Sequence, residues 1–170
     1  MLTEIQLHKS IIKIMKSYVV NHESRLLYKL VYVAQPWEKA VEYCGREKYK
    51  LAVPRSQEEF QYLQSIVRAM HYPSITGADN KLLVWLGIYN LGDYHIWRNV
   101  YGENIQDTGF HKWAPHNGVG YSDNPAEPHC GAIDAINPGY REFWCKKAQP
   151  YICQKSISDM DESDMQSLKN

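Results

Sequence analysis

The stretch Leu82-Leu83-Val84-Trp85-Leu86-Gly87-Ile88 is an unbroken run of apolar residues and glycine near the middle of the 170-residue chain. Its length suits a strand better than a helix, and such a run is typical of a strand that is buried on both faces. Pro73, Gly77 and Asn80 break the chain before it. The sequence therefore predicts a central strand here, with the rest of the domain packed around it.

A first strand and two helices are predicted upstream of the central strand. The strand covers residues 27–33 (LYKLVYV), which are rich in β-formers. One helix begins at Pro36, a residue that suits the first helical position, and the other follows the capping box of Ser56 and Glu59. Apolar residues recur at helical spacing in both helices: Trp37, Ala40, Val41 and Cys44 in the first, and Phe60, Leu63, Val67 and Met70 in the second.

Short strands separated by turn residues are predicted downstream of the central strand. They fall at 94–98, around 110–113, and at 130–136, 142–145 and 150–154. Two helices followed by a hairpin-rich half indicate an α+β fold, in which two helices flank antiparallel sheets and one long irregular loop stands out.

The two ends of the chain differ from this central domain, which we place at residues 27–155. Residues 2–20 carry apolar side chains at helical spacing, so residues 1–26 are predicted to form an amphipathic helical extension. That helix either packs on the domain or mediates assembly, with further copies of this chain in a homo-oligomer or with a different chain in a hetero-oligomer. Residues 156–170 are polar and acidic, and we expect them to be disordered. No run of about 20 apolar residues predicts a membrane span.

Charge and cysteine usage narrow the classes of function. The 19 Lys and Arg balance the 19 Asp and Glu, so no basic field favours nucleic acid as a partner. The four cysteines include no Cys-x-x-Cys pair, which disfavours a zinc knuckle or a redox site. Their even number predicts two disulfides and an oxidising, extracellular compartment; three pairings are open, and free cytosolic thiols are the alternative. For a secreted chain we expect that a leader peptide was removed before residue 1.

The segment Ala114–His129 (APHNGVGYSDNPAEPH), called the long loop below, has no periodicity and is dense in Pro, Gly, Asn and His. An irregular segment of this length inside a compact domain is usually functional. Tyr121 lies between Gly120 and Ser122, so we expect it to be exposed. An exposed tyrosine can stack on a sugar ring or anchor a protein partner.

Several landmarks follow one another along the chain: Trp37-x-x-Ala40-x-x-x-Cys44, Leu51-Ala52-Val53, Trp85-Leu86-Gly87-Ile88, Trp97, Trp113, Cys130, Cys145 and Tyr151-Ile152-Cys153. In order and spacing they resemble the C-type lectin-like domain family in its two-disulfide form, over about residues 28–155. The stretch from Leu91 to Trp113 looks most like secreted invertebrate members. The resemblance implies the disulfides Cys44–Cys153 and Cys130–Cys145, the second of which would staple the base of the long loop.

The resemblance also implies where a calcium ion would bind, because sugar-binding members hold one with oxygen ligands. Where those members have a Glu-Pro-Asn-type triplet, this chain has Ala114-Pro115-His116, and where they have an Asn-Asp pair, it has Arg141-Glu142. The permanent charge of Arg141 would repel the ion. If calcium binds, the remaining carboxylates are Asp123, Glu127 and Glu142. The resemblance therefore implies a degenerate calcium site.

Non-catalytic recognition is the function that these observations favour. The sequence carries no nucleophile elbow, phosphate-binding loop or zinc-protease motif, and the resemblance implies extracellular recognition of a glycan or protein, with a role in innate immunity. We predict a ligand-binding site formed by His116, Asn117, Tyr121, Asp123, Asn124, Glu127, Arg141 and Glu142. The alternatives are a calcium-dependent carbohydrate-binding lectin and an oligomer-forming structural protein that assembles through its N-terminal helix.

Overall fold

The structure, a computed structural model, describes residues 3–4, 17–121, 124 and 126–169. Its strands are β1 (Tyr18–Asn21), β2 (Leu26–Gln35), β3 (Lys50–Leu51), β4 (Val84–Tyr89), β5 (Arg98–Asn99), β6 (His129–Ile133), β7 (Arg141–Trp144) and β8 (Gln149–Ser156). Its α-helices are α1 (Trp37–Arg46), α2 (Gln57–Ala69) and α3 (Glu162–Lys169), and short 3-10 turns lie at Tyr72–Ser74, Ile105–Asp107 and Ile157–Asp159.

One sheet joins these strands in the order β1-β2-β8-β4-β6-β7, with β3 paired to β8 and β5 paired to β4. The named strands pair antiparallel except β4 and β8, which run parallel and meet at Trp85 and Tyr151. Because β6 occupies one edge of β4, β8 has to pair with the other edge. The α+β class is confirmed, and the sheet is mixed where we expected only antiparallel pairs.

The apolar run around Trp85 forms the central strand, as predicted. The side chains of β4 are fully buried from Val84 to Ile88. A Cβ on Gly87 would lie 2.8 Å from Leu51 O, so only glycine lets β3 approach β4 this closely. Leu82 lies before the strand and is exposed, because Asn80 Oδ1 accepts a hydrogen bond from Leu82 N and holds that residue in a turn.

The helices α1 and α2 cover opposite faces of the sheet, and both follow the predicted spacing. The apolar face of α2 joins one core cluster through Phe60, Leu63 and Val67, and that of α1 joins the other through Trp37, Ala40 and Cys44. Ser56 Oγ accepts a hydrogen bond from Glu59 N, as the capping box requires. Pro36 is the residue before α1 and does not occupy its first helical position.

Two of the predicted strands are largely absent from the segments that should contain them. Residues 94–98 contribute only Arg98 to the two-residue β5, and residues 110–113 make a single bridge between Trp113 and Tyr140. Side-chain oxygens occupy backbone donors nearby: Asp93 Oδ1 accepts from His95 N, and Asn99 Oδ1 accepts from the backbone N of residues 101 and 103. Such local bonds compete with strand pairing.

Glu4 is helical, but the predicted N-terminal helix does not continue through residues 18–21. Residues 18–21 form β1, which pairs antiparallel with β2 from Tyr18 opposite Lys29 to Asn21 opposite Leu26. The edge of β2 offers unpaired backbone groups, and the β-branched Val19 and Val20 suit a strand that fills it. Residues 5–16, which carry most of the predicted helix, lie outside the described residues. The helical extension and its oligomer therefore stay predictions.

The predicted disorder of the tail is also wrong over residues 156–169. Strand β8 continues to Ser156, and α3 follows. Asp164 of α3 is buried against the sheet, where its carboxylate accepts hydrogen bonds from Lys155 Nζ at 2.8 Å and from the Tyr49 hydroxyl. A tertiary ion pair thus orders a segment whose composition alone predicts disorder. None of the helices in the described part of the chain is long and apolar enough to cross a bilayer.

Candidate functional site

Two disulfides frame the long loop and connect it to the core. Cys44 of α1 is bonded to Cys153 of β8, with 5.7 Å between their Cα atoms. Cys130 of β6 is bonded to Cys145, which follows β7, with 5.0 Å between their Cα atoms. This is the pairing that the resemblance implied. The second bond fastens the point at which the long loop enters β6.

The start of the long loop is held against the residue that precedes β7. Ala114 N donates to Tyr140 O and Tyr140 N donates to Lys112 O, both at 2.9 Å. The Tyr140 ring is fully buried, and the Trp113 ring packs between it and Trp97, with centroid distances of 5.6 Å and 4.5 Å. Trp97 and Trp113 therefore support the loop from the core side and are not platforms for a ligand.

Three residues clamp the loop to strand β7. Asn117 Oδ1 accepts a hydrogen bond from Glu142 N at 2.9 Å, and Glu142 Oε2 accepts one from Gly118 N at 3.1 Å. Asn117 also donates from Nδ2 to Pro115 O at 2.8 Å. The clamp brings together two predicted site residues that are 25 positions apart in the chain. In the clamp, one side-chain oxygen of Asn117 and one of Glu142 each accept a hydrogen bond from a backbone N–H.

Arg141 pairs with Asp134 and does not join the clamp, so its part in a ligand site stays a prediction. Its Nη1 donates to Asp134 Oδ2 at 2.5 Å, and the Asp134 side chain is nearly buried. Burial alone would raise the pKa of Asp134. Hydrogen bonds from Asn137, from Ile136 N and from Arg141 outweigh that effect and hold the pKa below its ordinary value. Arg141 is thus engaged in closing the turn between β6 and β7.

The end of the long loop lies beside an exposed tryptophan. The ring of His129 lies 5.6 Å from that of Trp144, and Trp144 Nε1 donates to Glu127 Oε2 at 3.4 Å. His129 N donates to Asn90 Oδ1 at 3.0 Å. Burial lowers the pKa of the His129 imidazole, and the carboxylates of Glu142 and Glu127 oppose that effect only in part. His129 is therefore neutral near pH 7.

The tip of the long loop presents apolar and aromatic side chains. Tyr121 is 57% exposed and Val119 is 63% exposed, so Tyr121 is as accessible as the sequence predicted. The His116 ring lies edge-on to the Tyr121 ring at 5.7 Å, and His116 itself has a left-handed backbone with φ 62°. Val119, Tyr121 and His116 are called the loop tip below.

Asn124 and Asp123 are the remaining predicted site residues. Asn124 is exposed, and its Oδ1 accepts a hydrogen bond from Ala126 N at 3.0 Å, which forms a local turn. Asp123 lies outside the described residues.

Among the described residues, the oxygens at the calcium positions that the resemblance implies do not supply the six to eight ligands that a calcium ion needs. Asn117 Oδ1 and one oxygen of Glu142 are already hydrogen-bonded within the clamp, and Arg141 replaces a ligand by a cation that pairs elsewhere. Within the described ranges, no three His, Cys, Asp or Glu side chains converge as a metal site would require.

Sequence reasoning missed four residues that shape this site: Gly118, Val119, Asp134 and Trp144. Gly118 and Val119 lie in the pattern Gly118-Val119-Gly120, whose two glycines do signal a sharp bend with an exposed residue between them. Nothing in the local sequence signals the partnership of Asp134 with Arg141 or the exposure of Trp144, because both depend on how β6 pairs with β7.

Residues 33–155 match the family model described as the lectin C-type domain. No curated protein sequence matches the chain.

Solved structures share the architecture. A calcium-independent type II antifreeze protein superposes with a TM-score of 0.63 at 18% identity, covering 82% of this chain and 92% of its own. The mouse scavenger receptor C-type lectin carbohydrate-recognition domain gives 0.61 at 18%, covering 82% and 95%. The Ca2+-independent C-type lectin SPL-2 from Saxidomus purpuratus gives 0.63 at 15%, covering 84% and 94%. At these identities the similarity shows the shared fold alone.

Proposed function

The chain belongs to the C-type lectin domain family, and we propose that it is an extracellular, non-catalytic recognition module that binds a glycan or protein ligand through its long loop without calcium. The two disulfides support an oxidising, extracellular setting. Innate immunity is the role that we propose by analogy with the family. Two of the similar structures are themselves calcium-independent, which agrees with this proposal.

The clamp is the observation that carries the proposal. In a calcium-dependent site the loop oxygens would point at the ion. Here Asn117 Oδ1 accepts a hydrogen bond from Glu142 N, and Glu142 Oε2 accepts one from Gly118 N. A loop fixed by its own hydrogen bonds is ordered without a metal, so it can meet a ligand with little further loss of conformational entropy.

The loop tip is the surface that we propose contacts the ligand first. Tyr121 and Val119 offer exposed apolar area, and the edge-on His116 restricts the Tyr121 ring. Amphipathic aromatic side chains of this kind suit both the faces of sugar rings and protein surfaces. Asn124 and Glu127 belong to the same loop, and the exposed Trp144 donates to Glu127, so these residues offer polar groups for further contacts.

The direct test is a glycan array, with a parallel protein-binding screen, run in calcium and in a chelator. We expect binding in both solutions. Tyr121→Ala should weaken it by about tenfold, since aromatic anchors at a contact centre are commonly worth 1.4 kcal/mol or more. Ile136→Ala is the matched control, because Ile136 is an apolar residue outside the loop that is 86% exposed. Binding that requires calcium, or that ignores Tyr121→Ala, would overturn the proposal.

A thermal melt separates this proposal from a calcium-dependent lectin. We expect the melting temperature to be the same with and without calcium, because the described carboxylates do not converge on one point. A rise in melting temperature with calcium that Glu127→Gln abolishes would establish the calcium-dependent alternative instead.

A further inference from the structure

Asn117 and Gly118 form a chemically labile dipeptide, and both residues belong to the clamp. Theirs is the only Asn-Gly pair in the 170-residue sequence. In such a pair the backbone nitrogen of the glycine can attack the side-chain amide of the asparagine, because no glycine side chain shields that nitrogen or restricts its backbone. This chemistry does not depend on the ligand proposed above, so it stands or falls by itself.

The reaction is a hydrolysis whose only co-reactant is water. Gly118 N loses its proton to the solvent and forms a bond with Asn117 Cγ. The bond between Cγ and Nδ2 breaks, and the amide nitrogen leaves as ammonia after it takes a proton from water. Water then opens the cyclic imide at one of its two carbonyl carbons. Cleavage at Cγ gives aspartate, and cleavage at the backbone carbonyl carbon gives isoaspartate, in which the main chain runs through the side chain.

The closed clamp withholds both reacting groups. Gly118 N donates to Glu142 Oε2 at 3.1 Å, and a carboxylate at this distance opposes the negative charge that the nitrogen must acquire before it attacks. The Asn117 amide is fixed at both ends, since Oδ1 accepts from Glu142 N at 2.9 Å and Nδ2 donates to Pro115 O at 2.8 Å. The reaction therefore proceeds from a state in which the clamp has opened locally.

The product no longer fits the closed clamp. A carboxylate at position 117 has no N–H for Pro115 O, and it brings a second negative charge beside Glu142. Isoaspartate also lengthens the backbone by one methylene group next to Gly118, which is buried. A Cβ on Gly118 would lie only 2.4 Å from the Trp113 ring, so the packing leaves little room for a displaced backbone.

We propose that Asn117 is a deamidation site that the clamp controls: the closed clamp protects the amide, and deamidation opens the clamp. The modified loop keeps the Cys130–Cys145 disulfide at its far end but loses hydrogen bonds that order its start. Because the ammonia is lost to the solvent, the change runs in one direction, from an ordered loop start to a mobile one.

The first test compares the deamidation rate of the full chain under native conditions with its rate in guanidinium chloride, with the disulfides intact and at one mildly alkaline pH. Mass spectrometry of the peptide that contains Asn117 follows the exchange of amide for carboxylate. We expect the native chain to react at least about tenfold more slowly, because the hydrogen bonds of the clamp must open first. Equal rates, or no reaction in the unfolded chain, would overturn the proposal.

Glu142→Ala separates the clamp from the rest of the fold. It removes the acceptor of Gly118 N, so the native rate should rise by about tenfold while the rate in guanidinium chloride stays the same. Glu142→Gln, which keeps an acceptor oxygen and loses the charge, should give a smaller rise and serves if the alanine variant does not fold. Glu38→Ala is the matched control, because Glu38 is an exposed glutamate outside the loop. A native rate that neither change at Glu142 raises would contradict protection by the clamp.

The second test examines the product. Ion exchange separates the deamidated fraction of an aged sample, because it carries an additional negative charge. Hydrogen exchange at the backbone N–H of residues 118 and 142, the two donors of the clamp, should be at least about tenfold faster in this fraction than in the parent chain and unchanged in β4. Exchange that stays slow at both positions would show that the clamp survives deamidation and would refute its opening.

Discussion

Gly118 and Gly120 are single residues on which the path of the long loop depends. Both have a left-handed backbone, with φ 92° and 88°. A Cβ on Gly118 would overlap the Trp113 indole, whereas a Cβ on Gly120 would meet nothing within 4 Å. The two glycines thus share a conformational requirement and differ in available space.

We expect Gly118→Ala to lower the free energy of unfolding much more than Gly120→Ala. The shared left-handed backbone should cost about 1 kcal/mol in each variant. The clash with Trp113 should add about 2 kcal/mol in Gly118→Ala alone. Urea unfolding of both variants measures the difference, and equal losses would show that the indole does not pack on Gly118.

His129 is a second residue whose environment has a measurable consequence. Its pKa lies below the ordinary 6.5 because of burial, and its Nδ1 has no hydrogen-bond partner among the described residues. The unfolded chain, in which the ring has its ordinary pKa, therefore binds a proton more readily than the folded one. Stability contributed by the neutral ring is fully present above pH 6.5 and is lost as the pH falls through the folded-state pKa.

We expect the wild-type protein to lose stability between about pH 7 and pH 5, and His129→Gln to flatten that loss. The measurement is urea unfolding at a series of pH values. His95→Gln, at an exposed histidine outside the long loop, should keep the wild-type slope. A wild-type protein that gains stability as the pH falls in this window would contradict the sign of the effect.

Among the secondary-structure elements, α3 shows how one ion pair can order a short helix. Helices of eight residues are marginal by themselves. Lys155 Nζ of β8 reaches Asp164 Oδ2 at 2.8 Å, and both side chains are almost fully buried. Burial alone would raise the pKa of Asp164, but hydrogen bonds from Lys155 and Tyr49 hold it below its ordinary value.

We expect Asp164→Asn to release α3 from the sheet, because it leaves the buried Lys155 without its nearest anion. Breaking a buried pair in this way costs about 3 kcal/mol unless the helix opens locally to hydrate the lysine. Hydrogen exchange should therefore speed up across residues 162–169 and stay slow in β4. Glu162→Gln, an exposed change in the same helix, should leave the exchange pattern as it is.

At the scale of the whole molecule, two cross-links of very different span constrain the chain. Cys44–Cys153 joins residues 109 positions apart, and Cys130–Cys145 joins residues 15 positions apart. A cross-link stabilises mainly by restricting the unfolded chain, and the restriction grows with the length of the closed loop. The first bond therefore acts on the entire domain and the second on the β6–β7 hairpin.

We expect the paired substitution Cys44→Ser/Cys153→Ser to cost between about 4 and 5 kcal/mol, and Cys130→Ser/Cys145→Ser about 3 kcal/mol. Guanidinium unfolding of both variants measures which of the two losses in the free energy of unfolding is larger. Mass spectrometry of non-reduced peptides checks the pairing itself in the wild-type chain. Free thiols, or a different set of partners, would contradict the framework on which the loop rests.

Much of the fold could be predicted from the sequence, because its signals are local. The apolar run at 84–88, the capping box at Ser56 and the helical spacing after Pro36 each act within a few neighbouring residues. The cysteine pairing came from the family resemblance, since four cysteines by themselves allow three pairings. The exposure of Tyr121 followed from its small neighbours.

The candidate site was harder to predict, because hydrogen-bond partners lie far apart in the chain. Arg141 and Glu142 were expected to act together at the long loop, yet adjacent strand residues point to opposite faces. Arg141 consequently meets Asp134 while Glu142 meets Gly118. The strand at 18–21 and the helix at 162–169 were missed for the same reason, since each is ordered by β2 or β8.

By itself, the sequence determined the central strand, the two larger helices and the place of the long loop. Only the tertiary structure decided which of the loop's polar atoms remain available to a ligand. Residue types and spacing define what a segment can form, because those preferences arise between neighbours. Whether an oxygen faces solvent or a backbone N–H depends on distances between segments that only folding brings together.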